Sequence, residues 1–569
     1  MAKKPASKKN KPSPGTGKKA PAPVSKPKSR IAFLDGDWPL IIFLGLSMLF
    51  CLVARLKLLA IPLERDEGSF AYISHWLMRG RQLYTDMLDS KLPGLYTYYG
   101  FFTTLFGYNP TGIHIGLLAA NLASCVFFFL FARETYNRQI AVLATALFFW
   151  IVISPNVVGF AAHATQLLTP FILGGFYFFW KGLHQNRILV FFLSGLFIGI
   201  AFTIKQQSAI FGILIALLWW PSRLWWNKKE NHRVPFLEWV MLGIGGVLPA
   251  VLVVGYFLMV GRFAPFYDWT VTQPFNLARS FDKPWYTLFM NTIPYVLKQF
   301  EGIWMAAAAG LIFIFLSGFK RFSTVFGFLF ATLGFLSIII GAAYYKHYFV
   351  LAIPGVVLLA AVTIDWIASK TGKFRSITGV AITSILILIG ISGRTDYYFN
   401  PDYAKIHFEQ YGRNMFPEME KIGKELSKRV PEGQRIGIMG SEPEILVAAN
   451  RESCTKYLMV YSILFDPVRS PPMQQEYIKD LQDCAPEYLV WDTGTGSWTN
   501  GYDRLQFFEQ LMQWVQANYE TVGLAESRDD HPGPIVWEEA LNSFQSQNDF
   551  KIYVLKKKAT ITPPSPQGG

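Results

Sequence analysis

Apolar runs comparable to the thickness of a bilayer recur eleven times between residues 38 and 391, and no other feature restricts the fold as much. About 20 apolar residues in a helix cover the hydrocarbon core. Backbone immersed in lipid must satisfy its own polar groups, so a spanning run of this kind is a helix. The runs are 38–59, 113–132, 139–154, 164–180, 188–203, 208–220, 236–260, 302–316, 324–342, 350–364 and 377–391. Composition agrees: 51% of the 569 residues are apolar and 16% are charged, against roughly 25% charged in an ordinary soluble domain. A disordered chain, a small disulfide scaffold and a wholly soluble enzyme are excluded. The expected fold is a polytopic α-helical membrane protein of about 11 transmembrane helices, with a C-terminal soluble α/β domain.

Charge placement supplies the topology. The net charge is +14. Ten Lys/Arg and no acid fall in residues 1–30, a Lys/Pro/Ser/Ala-rich tail that cannot pack a core. No aromatic residue lies among those lysines, so nucleic acid is not an expected partner. The tail places the N-terminus in the cytoplasm. One apolar segment, 95–106, is too short to span and follows Pro93-Gly94. Read as an interfacial or re-entrant helix, it leaves Arg133/Arg138, Lys181/Arg187, Arg223/Lys228/Lys229/Arg233, Lys320/Arg321 and Lys370/Lys373/Arg375 in inner loops. Read as a span, it inverts every later loop against the rule. The expectation is therefore a multi-pass protein of the cytoplasmic membrane, with residues 31–394 in the membrane domain and 395–569 outside.

Residues 395–569 carry acids, Gln and Asn and alternate strand-like with helix-like segments: 435–439, 488–491 and 551–555 against 417–428, 473–481 and 504–518. Ser441 and Glu444 have the spacing of a capping box. Cys51 and Cys125 fall in expected spans as packing residues. Cys454 and Cys484 both fall outside, where a disulfide can persist, although sequence cannot supply its geometry.

The first outer loop, 60–111, holds the chemistry. Only fourteen acids lie between residues 31 and 392, and five of them (Glu64, Asp66, Glu67, Asp86, Asp89) fall within this loop. Acids at a membrane surface can act as a general base or hold a divalent cation, with Asp66 and Asp89 the candidate metal ligands. Lys91 can neutralise a phosphate. The plainer alternative is a solvated loop in which Asp66 or Glu67 caps the following helix. Further polar residues sit at outer ends of spans. Lys205-Gln206 interrupts an apolar stretch, either lining a site or snorkelling to the surface. Lys346-His347-Tyr348 form an outer turn. His163 and Gln166 open the fourth span, facing sugar hydroxyls or hydrogen-bonded in the core. No His/Cys cluster has zinc spacing.

Asp66-Glu67 just outside the first span, Asp89-x-Lys91-x-Pro93 after an amphipathic helix, and the soluble C-terminal part resemble the GT-C glycosyltransferases. Within that class the likeness is to the protein O-mannosyltransferase and lipid A aminoarabinose transferase group. The resemblance implies a sugar donor on polyprenyl phosphate and a lipid, glycan or protein acceptor. The absence of G-x-G-x-x-G and Walker A loops agrees with a donor that is not a nucleotide sugar. It further implies catalysis by Asp66 with help from Glu67, and donor-phosphate contacts from Lys91, Lys205 and Lys346. Sugar or acceptor contacts fall to Asp89, His163, Gln166, Gln206, His347 and Tyr348. One base opposite the leaving group implies inversion. Relatives often place an acid directly before the Lys-Pro element. Here Ser90 stands before Lys91, and Leu92 separates Lys91 from Pro93. A transporter or flippase of lipid-linked glycan, and an inactive scaffold presenting 395–569, are the alternative readings from other classes.

Overall fold

The computed structural model describes residues 37–559 apart from 186, 227–234, 280–283, 318–321, 341–343, 467, 495, 499–503 and 529–532. The basic tail and the inner-loop cations Lys228, Lys229, Arg233, Lys320 and Arg321 lie outside the described residues. From Pro39 onward the chain forms one compact unit.

Every one of the eleven apolar runs is helical. In chain order the first elements are α1 (Trp38–Lys57), α2 (Arg65–Leu77), α3 (Pro93–Phe106), α4 (Pro110–Thr135), α5 (Arg138–Val152), α6 (Ala164–Gln185), α7 (Ile188–Ile204), α8 (Ala209–Trp226) and α9 (Pro235–Met259). Helices Trp285–Lys298, Glu301–Ser317, Phe322–Ile340, Ile353–Ser369 and Arg375–Ser392 follow. Among the described residues, four segments are long and apolar enough to cross a membrane alone: Trp38–Lys57, Pro110–Thr135, Phe236–Met259 and Gly372–Ser392. A fifth crossing is possible if Tyr286–Lys298 and Glu301–Leu316, bent by 110°, count as one. The protein is thus a multi-pass helical membrane protein. The shorter apolar helices differ in environment: α5 is buried from Gln139 to Val152, so its apolarity serves the bundle interior. Helices α7 and α9 approach at glycines, because a Cβ on Gly195 would overlap the Leu242 carbonyl and one on Gly245 the Phe192 carbonyl. Segment 95–106 is a helix, α3, of 14 residues, with Phe101 and Leu105 exposed on one face and Leu95, Tyr96 and Tyr99 buried on the other.

The C-terminal region carries a six-stranded mixed sheet. Its strands are β1 (Arg435–Met439), β2 (Glu452–Ser453), β3 (Tyr488–Asp492), β4 (Tyr519–Glu526), β5 (Ile535–Trp537) and β6 (Lys551–Lys557), in the order β2-β1-β3-β6-β4-β5. β1 pairs in parallel with β2 and β3, and the remaining pairings are antiparallel. Cys454 and Cys484 are joined by a disulfide, and Cys51 and Cys125 are buried thiols. The expected Ser441–Glu444 capping box does not form. The helix Pro443–Ala449 has Glu442 as its N-cap residue, without a side-chain cap bond. Ser441 is instead tied to Ser497, its N–H donating to Oγ at 2.8 Å and its hydroxyl donating to the carbonyl at 2.9 Å.

Candidate active site

The capping box lies at α2. Glu64 Oε1 accepts the Glu67 N–H at 2.9 Å, and Glu67 Oε2 accepts the Glu64 N–H at 3.4 Å. The N-cap residue is therefore Glu64, with Glu67 supplying the reciprocal half of the box, and Asp66 is not part of it. Burial raises the Glu64 carboxyl well above the usual range, and the charges of Asp66 and Glu67 push in the same direction.

Successive helical positions differ by about 100°, and this separates two neighbouring carboxylates into different roles. Glu67 turns into the bundle, fully buried. Its Oε1 lies 3.0 Å from His114 Nε2 and accepts the Ala162 N–H at 2.6 Å. Burial opposes its charge, but the His114 ring, the Ala162 amide and His163 together hold it below the usual range. The expected catalytic helper Glu67 is thus a wall residue whose oxygens are engaged. Asp66 keeps a side chain 34% exposed, with Oδ2 3.7 Å from His163 Nδ1.

From Asp66 a ladder of side chains drawn from four segments runs to a lysine. The His163 ring stacks on His347, with centroids 3.8 Å apart and planes 10° apart. The His347 ring meets the Tyr348 ring edge-on at 4.8 Å. Lys205 Nζ sits 3.7 Å above the Tyr348 ring. Lys205 ends α7 in extended backbone, before a short 3-10 turn at Gln206–Ser208. Burial lowers its ammonium well below the usual value, the like charge of Lys91 adds to this, and Asp66 opposes it. Burial likewise keeps both histidine rings below the usual imidazole value. Among the described residues, neither nitrogen of His163 has a hydrogen-bond partner. One ligand atom from each of Asp66, His163 and His347 lies within 4.8 Å of the other two. Two neutral imidazoles and a carboxylate form a suitable donor set for a divalent transition metal.

Lys91 belongs to the same neighbourhood. A Cβ on Gly94 would overlap Thr203, so Pro93-Gly94 packs directly on the end of α7 next to Lys205. Lys91 Nζ lies 3.3 Å from Ser90 Oγ and 4.0 Å from Asp89 Oδ1. Asp89 accepts the Ser90 N–H, and its Oδ2 is buried. The metal-capable trio thus recruits two histidines rather than Asp89.

Three expected contacts point elsewhere. Gln166 is buried in the bundle, donating to the Val152 carbonyl at 3.0 Å and accepting from Asn121 at 3.1 Å. Gln206 donates to the Thr270 carbonyl at 3.2 Å. Lys346, next to His347 in chain, projects away from the ladder and donates to Gln410 Oε1 at 3.2 Å.

Sequence reading missed the clamp behind the site. Arg65 donates to the Ser441 carbonyl at 2.6 Å, Glu442 Oε1 at 2.6 Å, the Gly496 carbonyl at 3.1 Å and Asn414 Oδ1 at 3.3 Å. It joins the start of α2 to the sheet region. Glu442, Glu444 and Asp492 are all buried beside it. Burial raises Glu444 and Asp492 well above the carboxylate range, with the Glu442 charge adding to each. Burial also opposes the Glu442 charge, but Arg65 together with hydrogen bonds from Glu444 and Asp492 holds that carboxyl low. Gly68 is required here, since its Cβ would fall 2.8 Å from Glu444 Cα. Arg55 was also missed. It is buried in α1, donating to Asn121 Oδ1 at 3.1 Å and the Gly159 carbonyl at 2.6 Å, and so holds the loop that leads to His163. An arginine inside an apolar run was the available signal.

The fold is that of solved GT-C enzymes, in agreement with the resemblance in the sequence. ArnT from Cupriavidus metallidurans in the apo state is similar over 90% of this chain and 97% of its own, with a TM-score of 0.57 at 13% identity. The same protein bound to undecaprenyl phosphate covers 80% and 93%, with a TM-score of 0.52 at 14% identity. An Archaeoglobus fulgidus oligosaccharyltransferase matches with a TM-score of 0.47 at 11% identity, over 89% of this chain and 75% of its own. No curated protein sequence matches the chain. The likeness in fold and the likeness in sequence both fall within the GT-C membrane glycosyltransferases. Residues 93–252 match the model of the dolichyl-phosphate-mannose-protein mannosyltransferase family.

Proposed function

We propose that the protein transfers a sugar from a polyprenyl-phosphate donor to an acceptor at the outer face of the cytoplasmic membrane, with inversion at the anomeric carbon. The observation that carries this reading is the ladder from Asp66 through His163, His347 and Tyr348 to Lys205, with Lys91 in electrostatic reach. The similar ArnT was crystallised with undecaprenyl phosphate, which supports a donor of that class. The topology we propose has eleven spans, a cytoplasmic N-terminus, and residues 395–569 outside.

The acceptor hydroxyl or amine attacks the anomeric carbon while the bond from that carbon to the phosphate oxygen breaks. Asp66 takes the acceptor proton, and the polyprenyl phosphate leaves with the bonding electrons. Lys91 and Lys205 face the charge that develops on the leaving group. An arriving phosphate supplies the counter-charge that buried Lys205 lacks. One displacement with one base inverts the centre. Asp66, His163 and His347 would hold a divalent cation, and such an ion supplies Lewis-acid stabilisation of developing negative charge when bound.

Transfer of labelled sugar from polyprenyl phosphate by full-length protein in detergent, with no second compartment, tests this reading. Transfer that survives Asp66→Asn and Lys205→Ala would overturn the assignment. Transport across vesicles without transfer would favour a flippase.

A further inference from the structure

A cavity of about 700 Å³ is lined by Asn156, Lys346 of the His347 turn, and residues from 295–299 and 389–410. Its volume suits a small ligand or a lipid headgroup. Four cations reach it: Lys298, Lys346, Arg394 and Lys405. Two acids answer them. Arg394 pairs with Glu409, and Lys405 with Asp396 at 2.8 Å. Lys298 and Lys346 remain, and neither has a carboxylate within ion-pair distance among the described residues. Lys346 meets only the neutral Gln410 amide and the Tyr295 ring, 5.2 Å from its Nζ. The lining thus carries two ammonium groups in excess of its carboxylates, and the resulting positive potential attracts an anion.

Its position indicates which anion. The cavity lies at the C-terminal end of the apolar segment Gly372–Ser392. Ile389 lines it and is 66% exposed, and Tyr295 on the opposite wall is 60% exposed. Within one turn of Ile389 the lining changes to Ser392, Gly393 and Arg394. An apolar mouth passing into a basic interior at the end of a span is the arrangement of a headgroup site at the membrane interface.

We propose that this cavity is a second binding site, taking the phosphate headgroup of an anionic membrane lipid through Lys298 and Lys346. It is separate from the sugar-transfer chamber: Lys346 and His347 are consecutive in a 3-10 turn, and their side chains serve opposite sides of it.

The test is binding of short-chain phosphatidylglycerol and phosphatidylcholine to full-length protein in detergent, followed by native mass spectrometry, with inorganic phosphate as competitor. The expected result is a preference for phosphatidylglycerol of about tenfold, lost in Lys298→Gln/Lys346→Gln and kept in Asp66→Asn. Lys298 is exposed, so Lys298→Gln alone preserves the fold and must weaken the preference severalfold. Equal binding of the two lipids, or a preference unchanged by Lys298→Gln, overturns the proposal. Displacement of the lipid by inorganic phosphate at matching concentration overturns the lipid as occupant and assigns the site to soluble phosphate.

Discussion

Asp66 and Glu67 are adjacent acids to which the structure gives opposite duties, so substituting each should produce opposite phenotypes. In Glu67→Ala the His114 ring and the Ala162 amide lose their acceptor at a fully buried position. An unmade buried hydrogen bond costs about 1–3 kcal/mol, and two contacts lose their acceptor here, so about 2–6 kcal/mol is the expected destabilisation. Asp66 has a side chain 34% exposed and no short hydrogen bond. Its contribution is the favourable position of an acid in the first turn of α2, about 0.3–1 kcal/mol, and Asp66→Asn retains its shape. Loss of a general base, by contrast, costs about 10²–10⁴ in rate. Thermal unfolding in detergent and sugar transfer per folded molecule separate the two effects. Asp66→Asn should unfold as wild type and lose transfer by that factor. Glu67→Ala should unfold well below wild type, with transfer declining in step with the folded fraction. If Glu67→Ala unfolds as wild type yet abolishes transfer, the two carboxylates share the chemistry and the division by helical position is wrong.

Gly68→Ala should loosen the sheet region from α2, because its Cβ would sit 2.8 Å from Glu444 Cα; the expected cost is about 1–3 kcal/mol, read as faster limited proteolysis after α2. Removing the Cys454–Cys484 bridge, which closes a separation of 30 residues, should destabilise the C-terminal region by about 3–4 kcal/mol on the chain-entropy model, measured by unfolding with and without reductant. Stability should also depend on pH through the clamp. Glu444 and Asp492 have folded values raised above the usual range, so their contribution is full below about pH 4 and is lost as pH rises through those folded values. Glu442, held low, acts in the opposite sense, losing its contribution as pH falls below the usual range. Unfolding temperatures across pH should therefore flatten above about pH 4 in Glu444→Gln/Asp492→Asn, and a slope identical to wild type would contradict the assignment.

The sequence by itself determined the helices, because each apolar run leaves the backbone no alternative in lipid. It also determined β1, β3 and β6, whose alternation is local, and it singled out Asp66 and Lys91 in an acid-rich outer loop and Lys205, His163 and His347 as polar residues at the ends of apolar runs. Only the tertiary structure decided how these meet. Whether Asp66 or Glu67 faces the chamber depends on the rotation of α2, which is fixed by the Glu64 cap and by His114, 47 residues away. Whether Lys346 or His347 faces it depends on one 3-10 turn. Nothing local in the sequence sets Arg65 apart, because its partners, Ser441, Glu442, Gly496 and Asn414, lie some 350 to 430 residues further along the chain. Periodicity and composition are properties of neighbours in sequence. The site is a property of contacts between distant segments, and those are set by packing.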